Sequence, residues 1–252
     1  MRDIEGNLYS TGYFSTSAGI NGQSLTVQGL TDIFVSKVNP SGFTEWSVSF
    51  GGNQSDRGLG ISVDKTGKIL VCGFYTGTID FGNGTSITSN GGQDAFVLKL
   101  DEDGQVLWAK GGGSSGNSDR ANAVAADSLG NVLITGQFSG DANFDSFNLN
   151  ASDGTIDAFI LKYDADGNEL WAKQGTGESL ERGMGIATDS EGGIYTTGQF
   201  SGDISFDNAY DNNVLNAVFL IKYSPEGNEQ WFRTAGGTEE SIAYGITSDG
   251  VN

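Results

Sequence analysis

Four tryptophans, Trp46, Trp108, Trp171 and Trp231, recur at intervals of 62, 63 and 60 residues. Phe34, Phe96, Phe159 and Phe219 keep the same intervals, and so do Lys37, Lys99, Lys162 and Lys222. Gly12, Gly73, Gly136 and Gly198 follow at 61, 63 and 62. Self-similarity at a fixed period marks a repeat architecture, in which each unit buries its apolar surface against its neighbours. The chain therefore reads as one domain over residues 1–252, with units at about 51–112, 113–175 and 176–239. A split unit joins 240–252 to 1–50.

Each unit holds four short strand-like segments. In the third copy, segment a is Gly183-Met184-Gly185-Ile186-Ala187-Thr188-Asp189 and segment b is Gly193-Ile194-Tyr195-Thr196-Thr197-Gly198-Gln199-Phe200. Segment c is Ala217-Val218-Phe219-Leu220-Ile221-Lys222-Tyr223 and segment d is Glu229-Gln230-Trp231-Phe232-Arg233. Turns such as Asp127-Ser128-Leu129-Gly130-Asn131 and Asp101-Glu102-Asp103-Gly104 join a to b and c to d. Asp starts such turns by bonding its own backbone, and Gly supplies the positive φ that sends the chain back antiparallel. The unit is a four-stranded antiparallel meander.

Segment c is apolar on both faces, with Phe96, Leu98 and Leu100 on one and Ala95 and Val97 on the other. A strand buried on both sides needs a sheet above and below. Radially stacked four-stranded blades provide that, so the expected fold is all-β, a β-propeller of four blades. Segment a, rich in Gly and Ala, suits the crowded strand nearest the axis. The chain begins and ends in the same a–b turn, and from Asp3 to Asp249 is 246 residues, four units of about 61.5. The segment from Ile242 to Thr247 is expected to pair with the N-terminal blade and close the ring, which favours a monomer. The alternative is a larger ring, built from two chains or from further repeats.

The run Asp94-Ala95-Phe96-Val97-Leu98-Lys99-Leu100-Asp101…Gly104…Trp108-Ala109-Lys110…Arg120…Ala125-Ala126-Asp127…Gly130-Asn131-Val132-Leu133-Ile134-Thr135-Gly136 resembles the SBBP-type β-propeller repeat of long extracellular bacterial proteins. The resemblance recurs, with drift, over the whole chain. It implies a secreted or surface-attached protein, often one module of a larger one, and supplies no catalytic signature. Departures gather in the last copy, where Ala217 replaces the Asp of segment c and Ile242 replaces the Arg before segment a. The first copy has Ile20 where the others have Phe81, Phe144 and Phe206. No signal-peptide h-region opens the chain, so an export signal is expected outside it.

Charge and residue inventory narrow the chemistry. The formal net charge is −19, from 32 Asp and Glu against 13 Lys and Arg. Nucleic-acid backbones and anionic membranes are repelled, and no stretch is apolar and long enough to insert in a bilayer. There is no His, which removes imidazole acid–base chemistry and His-based zinc sites. The single Cys72 reads as a small buried apolar residue. Asp164-Ala165-Asp166-Gly167-Asn168 looks like the start of a calcium loop, but the full ligand spacing and distal Glu are missing. No cofactor is expected, with calcium as the alternative.

The b–c and d–a connections are the long ones and share one rim, the expected binding face. There the d–a connections carry Asp56-Arg57, Asp119-Arg120 and Glu181-Arg182 at equivalent places. They read either as a ring of charges gripping a polar ligand or as an acid–Arg pair or backbone hydrogen bond that fixes each loop. The tryptophans are expected between blades, and the repeated lysines are expected to pair with Asp64, Asp127, Asp189 or Asp249. The functional expectation is a non-catalytic surface module that binds a glycan or protein or acts as a scaffold. The alternatives are a spacer in a larger array and a polysaccharide hydrolase or lyase. Asp141, Asp145, Asp203 and Asp207 are the unusual carboxylates an enzyme would use, yet they come as repeat equivalents.

Overall fold

The computed structural model describes residues 1–20, 22–116, 119–151, 154–211, 216–237, 239 and 241–248. Among these every regular element is a strand. The first unit contains β1 (Leu8–Phe14), a small hairpin of β2 (Ala18–Ile20) and β3 (Gln23–Leu25), β4 (Asp32–Val38) and β5 (Thr44–Phe50). The second has β6 (Arg57–Val63), β7 (Ile69–Gly82), β8 (Thr85–Leu100) and β9 (Val106–Gly112). The third has β10 (Arg120–Ala126), β11 (Val132–Phe138), the hairpin β12 (Asp141–Phe144) and β13 (Phe147–Asn150), β14 (Asp157–Tyr163) and β15 (Glu169–Gly175). The fourth has β16 (Leu180–Thr188), β17 (Ile194–Ser201), the hairpin β18 (Ile204–Phe206) and β19 (Ala209–Asp211), β20 (Ala217–Tyr223) and β21 (Glu229–Gly236).

Three sheets are four-stranded meanders, β6-β7-β8-β9, β10-β11-β14-β15 and β16-β17-β20-β21, and the first is three-stranded, β1-β4-β5. The register repeats with the sequence: Gly12, Gly73, Gly136 and Gly198 stand opposite Phe34, Phe96, Phe159 and Phe219. The glycine makes room for that ring. A Cβ on Gly73 would sit 2.9 Å from Phe96 Cε1, and one on Gly198 2.7 Å from Phe219 Cε1. The bulge between Gly58 and Gly60 recurs between Ala121 and Ala123 and between Gly183 and Gly185.

Apolar cores lie between sheets, as two-sided burial of segment c requires. Leu70, Cys72, Ala95 and Val97 of the second sheet pack with Ile134, Phe159 and Leu161 of the third. Val35 and Ile33 of the first pack with Val71 and Leu98 of the second. Leu133 and Ile160 of the third pack with Ile194, Phe219 and Ile221 of the fourth. The long b–c connections are hairpins rather than loops. Phe81, Phe144 and Phe206, all buried, fold them back over the sheets, Phe144 at 4.9 Å from Phe159 and Phe206 at 5.2 Å from Phe219.

Each junction carries the same latch. Trp46 Nε1 donates to the Glu102 carbonyl at 2.9 Å, Trp108 Nε1 to Ala165 at 3.1 Å, and Trp171 Nε1 to Pro225 at 3.2 Å. Every acceptor lies in the c–d turn of the next sheet. Beneath them Lys99 pairs with Asp64 (3.5 Å), Lys162 with Asp127 (3.0 Å) and Lys222 with Asp189 (3.3 Å). Lys99 Nζ also donates to Ala165 O, and Lys162 Nζ to Pro225 O. Lys37 pairs instead with Glu45 at 2.9 Å. Asp249 lies outside the described residues.

The closing strand expected from Ile242 to Thr247 is not formed. Residues 241–248 carry no strand, and Gly42, the counterpart of Gly104 and Gly167, meets no neighbour that a Trp231 latch would bring. Two differences from the other junctions accompany this. First, Met1 and Arg2 already occupy the end of the slot beside β1: Met1 exchanges backbone bonds with Tyr9, and Arg2 bridges Leu8, as Ala187 and Thr188 pair with Tyr195 and Ile194. Second, Ser241 and Ala217 stand where the other junctions have paired acids. The segment nevertheless approaches the neighbouring inner strand, with Ser248 Oγ donating to Thr188 O at 2.6 Å.

Candidate functional site

Tight turns gather at one end of the sheets and the hairpins and d–a connections at the other. The inner segments 61–65, 124–128, 186–190 and 246–248, with Met1, line a cavity of about 560 Å³ at the tight-turn end. Its carboxylates Asp64, Asp127 and Asp189 are the ones held by lysines. Burial alone would raise Asp127 and Asp189, but hydrogen bonds from Asn131 and Lys162, and from Tyr195 and Lys222, hold both below the ordinary carboxylate value.

The six residues picked out by the sequence start the inner strands at the opposite end. Asp56, Asp119 and Glu181 are fully buried. Asp56 accepts from the Gly52 amide (2.7 Å) and the Thr76 amide (3.0 Å). Asp119 accepts from the Ser114 amide and hydroxyl and, at 2.8 Å, from the Ser139 amide. Each acid thereby fastens a d–a connection to a b strand. A second carboxylate lies beside it, Asp32 near Asp56 and Asp94 near Asp119, at the start of segment c of the preceding sheet. Burial, then Asp119, pushes Asp94 up to about 6.

Glu181 is one methylene longer than the aspartates it replaces. Its strand pairs two residues further, Glu181 with Phe200 and Leu180 with Ser201, so the position whose amide binds Asp119 in the third sheet lies within the ladder here. Among the described residues its oxygens accept no well-formed hydrogen bond. Burial first, then Asp157 and Asp203, pushes it up to about 9, with the Leu180 amide offsetting this slightly.

The acids do not pair with the arginines beside them in sequence. Among the described residues no Arg forms an ion pair, and the Nε atoms of Arg57, Arg120 and Arg182 are buried without a hydrogen-bond partner. Each side chain that touches a ring reaches back to the preceding sheet: Arg57 lies 4.1 Å from the Tyr13 centroid and Arg120 5.1 Å from Phe74. Arg57 is also 5.7 Å from Phe74, so one ring is shared by two guanidinium groups. Burial first, then Arg182 and Arg57, push the Arg120 guanidinium below its ordinary value. Arg120 thus lies within electrostatic reach of the arginines of the sheets on either side. Their convergence is the feature that repeat spacing alone did not show.

The four carboxylates marked for the enzyme alternative all have partners. Asp145 pairs with Lys110 (3.4 Å) and Asp207 with Lys173 (2.6 Å). Asp141 accepts from Asn150, and Asp203 from the Glu178 amide. In the calcium-like turn, Asp164 Oδ1 accepts from the Asp166 and Asn168 amides, and Asn168 Nδ2 donates to Oδ2 at 2.8 Å. Among the described residues no three His, Cys, Asp or Glu are grouped to hold a metal.

No family model matches the chain. It is 28% identical, over 91% of its length, to an uncharacterized WD repeat-containing protein, L264, of Acanthamoeba polyphaga mimivirus. Over 56% of its length it is 30% identical to the regulatory protein FlaEY of Caulobacter vibrioides. It spans 21% and 15% of those two proteins. A solved structure of a protein of unknown function from Bacteroides caccae aligns over 94% of this chain and 98% of that one, with a TM-score of 0.28 and 11% identity. Together with the four repeated sheets, the first of these similarities makes the chain a β-rich repeat protein with weak WD-repeat-like homology.

Proposed function

We propose that the chain is a β-propeller module of four blades that binds or scaffolds without catalysis, using the rim of hairpins and d–a connections as its ligand face. The observation that carries this reading is the latch made three times over, Trp46, Trp108 and Trp171 each onto the c–d turn of the next sheet. Such a device stacks identical units side by side and leaves the opposite rim to vary. The engaged states of Asp141, Asp145, Asp203 and Asp207 and the absence of His favour binding over hydrolysis or lysis. The resemblance to SBBP-type repeats favours an extracellular or cell-surface setting, with a glycan or protein as ligand.

Light scattering on a sizing column tests the architecture: a monomer near 26 kDa supports four blades in one chain, and a dimer supports a larger ring. Glycan and protein arrays test binding. Hits abolished by changes in the hairpin rim support the ligand face, whereas silence on both arrays favours a spacer. Release of reducing sugar from polysaccharides would overturn the non-catalytic reading.

A further inference from the structure

Three observations at one place lack a structural explanation. Arg57 and Arg120 begin, and Arg182 lies in the first three residues of, three neighbouring inner strands; none donates a side-chain hydrogen bond to any described residue, and their Nε atoms are buried. No carboxylate is within ion-pairing distance of them among the described residues, although the chain carries 32 acids. The acids next to two of them, Asp56 and Asp119, are turned onto backbone amides instead. The three residues are half-buried, and an Nε shut off from water without a hydrogen-bond partner is costly, the more so at Arg120, which the like charges of Arg57 and Arg182 approach. A fold needing only the arginines' stems would keep them apart or cover them with the abundant carboxylates. Guanidinium donors are instead matched, in charge and geometry, to an oxyanion.

We propose that Arg57, Arg120 and Arg182 form an anion site that takes one compact divalent oxyanion, a sulfate or phosphate group. Three positive charges favour a dianion over a monovalent carboxylate. A net charge of −19 repels an extended polyanion, so the site selects a single localised group, free or carried on a small ligand. Tyr13, 48% exposed and in contact with Arg57, supplies a ring beside the charges on which a small carrier such as a sugar would rest. The inference rests on the reading of this rim as the ligand face and gives it a ligand class.

The test is equilibrium dialysis with radiolabelled inorganic sulfate, and with inorganic phosphate, at constant ionic strength in sodium chloride. Saturable binding near one anion per chain is expected, weakened about tenfold or more in Arg120→Gln, since hydrogen bonds to charged groups are among the stronger ones. It is lost in the triple variant Arg57→Gln, Arg120→Gln, Arg182→Gln. Arg120→Lys keeps the charge and is expected to fall between the wild type and Arg120→Gln, which separates recognition from folding. Glucose 6-sulfate distinguishes the sources: stronger competition than inorganic sulfate means the group comes on a carrier, and weaker competition means the free ion. Absence of saturation, or saturation unchanged in Arg120→Gln, overturns the site. Loss of the site with rim-dependent array hits intact would leave the module reading standing. Anion binding by a chain that forms no propeller-sized monomer or ring would do the reverse.

Discussion

The indole of Trp108 covers Gly167 of the next sheet: a Cβ on Gly167 would lie 3.0 Å from the Trp108 ring, and the backbone there has a φ of +86°. The glycine is required twice, for its turn and for its neighbour. Gly167→Ala is expected to destabilise more than Gly130→Ala, whose φ is also positive but whose nearest contact is 3.7 Å away. Trp108→Phe keeps an aromatic side chain but loses the indole N–H bond to Ala165 O, worth about 1 kcal/mol by itself, and part of the cover over Gly167. Thermal melts of the three variants rank the effects, and equal melting for the two glycine variants would remove the latch as a source of stability.

Lys162 is almost wholly buried, 3.0 Å from Asp127 and 2.9 Å from Pro225 O. Removing one member of a buried pair strands the other charge. Lys162→Met is therefore expected to cost about 3–5 kcal/mol, or a fall in Tm of about 6–20 °C at 2–4 °C per kcal/mol. Lys173→Met, which removes a half-exposed partner of Asp207, is expected to change Tm by about 2 °C or less.

Glu181 sets a pH dependence. Its folded value of about 9 lies above the ordinary 4.5, so the folded protein holds a proton that the unfolded chain releases between those values. Its contribution is fully present below about pH 4.5 and is lost as pH rises through 9. Asp94, raised to about 6, acts in the same sense over a lower window. The wild type is expected to melt lower at pH 8.5 than at pH 6. Glu181→Gln is expected to flatten that fall and to raise Tm at pH 8.5 by a few degrees, because the glutamine needs no proton that the unfolded chain would release. Identical pH profiles would show that Glu181 finds a partner in solution.

Cys72 is buried between the second and third sheets, where burial pushes its thiol above the ordinary value and its sulfur donates to Ala121 O. It is expected to resist a thiol reagent in the native protein and to react within minutes in denaturant. Rapid native labelling would mean that this junction opens.

Periodicity made the sheets legible because burial and turn chemistry act locally and repeat with the unit. Gly73 opposite Phe96, and Lys99 beside Asp64, follow from strand pairing alone. The hairpins were less visible, since β12 and β18 bury only two side chains each, Ala142 and Phe144 in one and Ile204 and Phe206 in the other. The closing strand misled because Ile242 to Thr247 has strand-like composition; pairing there depends on Met1 and Arg2, distant in sequence and already in the slot. At the rim the six charged residues were marked, but adjacency in sequence left an acid–Arg pair and a backbone hydrogen bond equally open. Successive residues on a strand point to opposite faces, so Asp119 meets the Ser139 amide while Arg120 meets Phe74.

Arg57 and Arg120 touch the sheet before their own, so each of these two guanidinium groups belongs to a seam as much as to a unit. Duplication of one unit would insert a whole seam and could add an arginine with its aromatic partner already in place. Charge at the centre would then grow in integer steps with copy number, and the size of anion accommodated would change with it. Gene-level gain or loss of repeats is in this sense a dial on ligand preference that needs no point substitution.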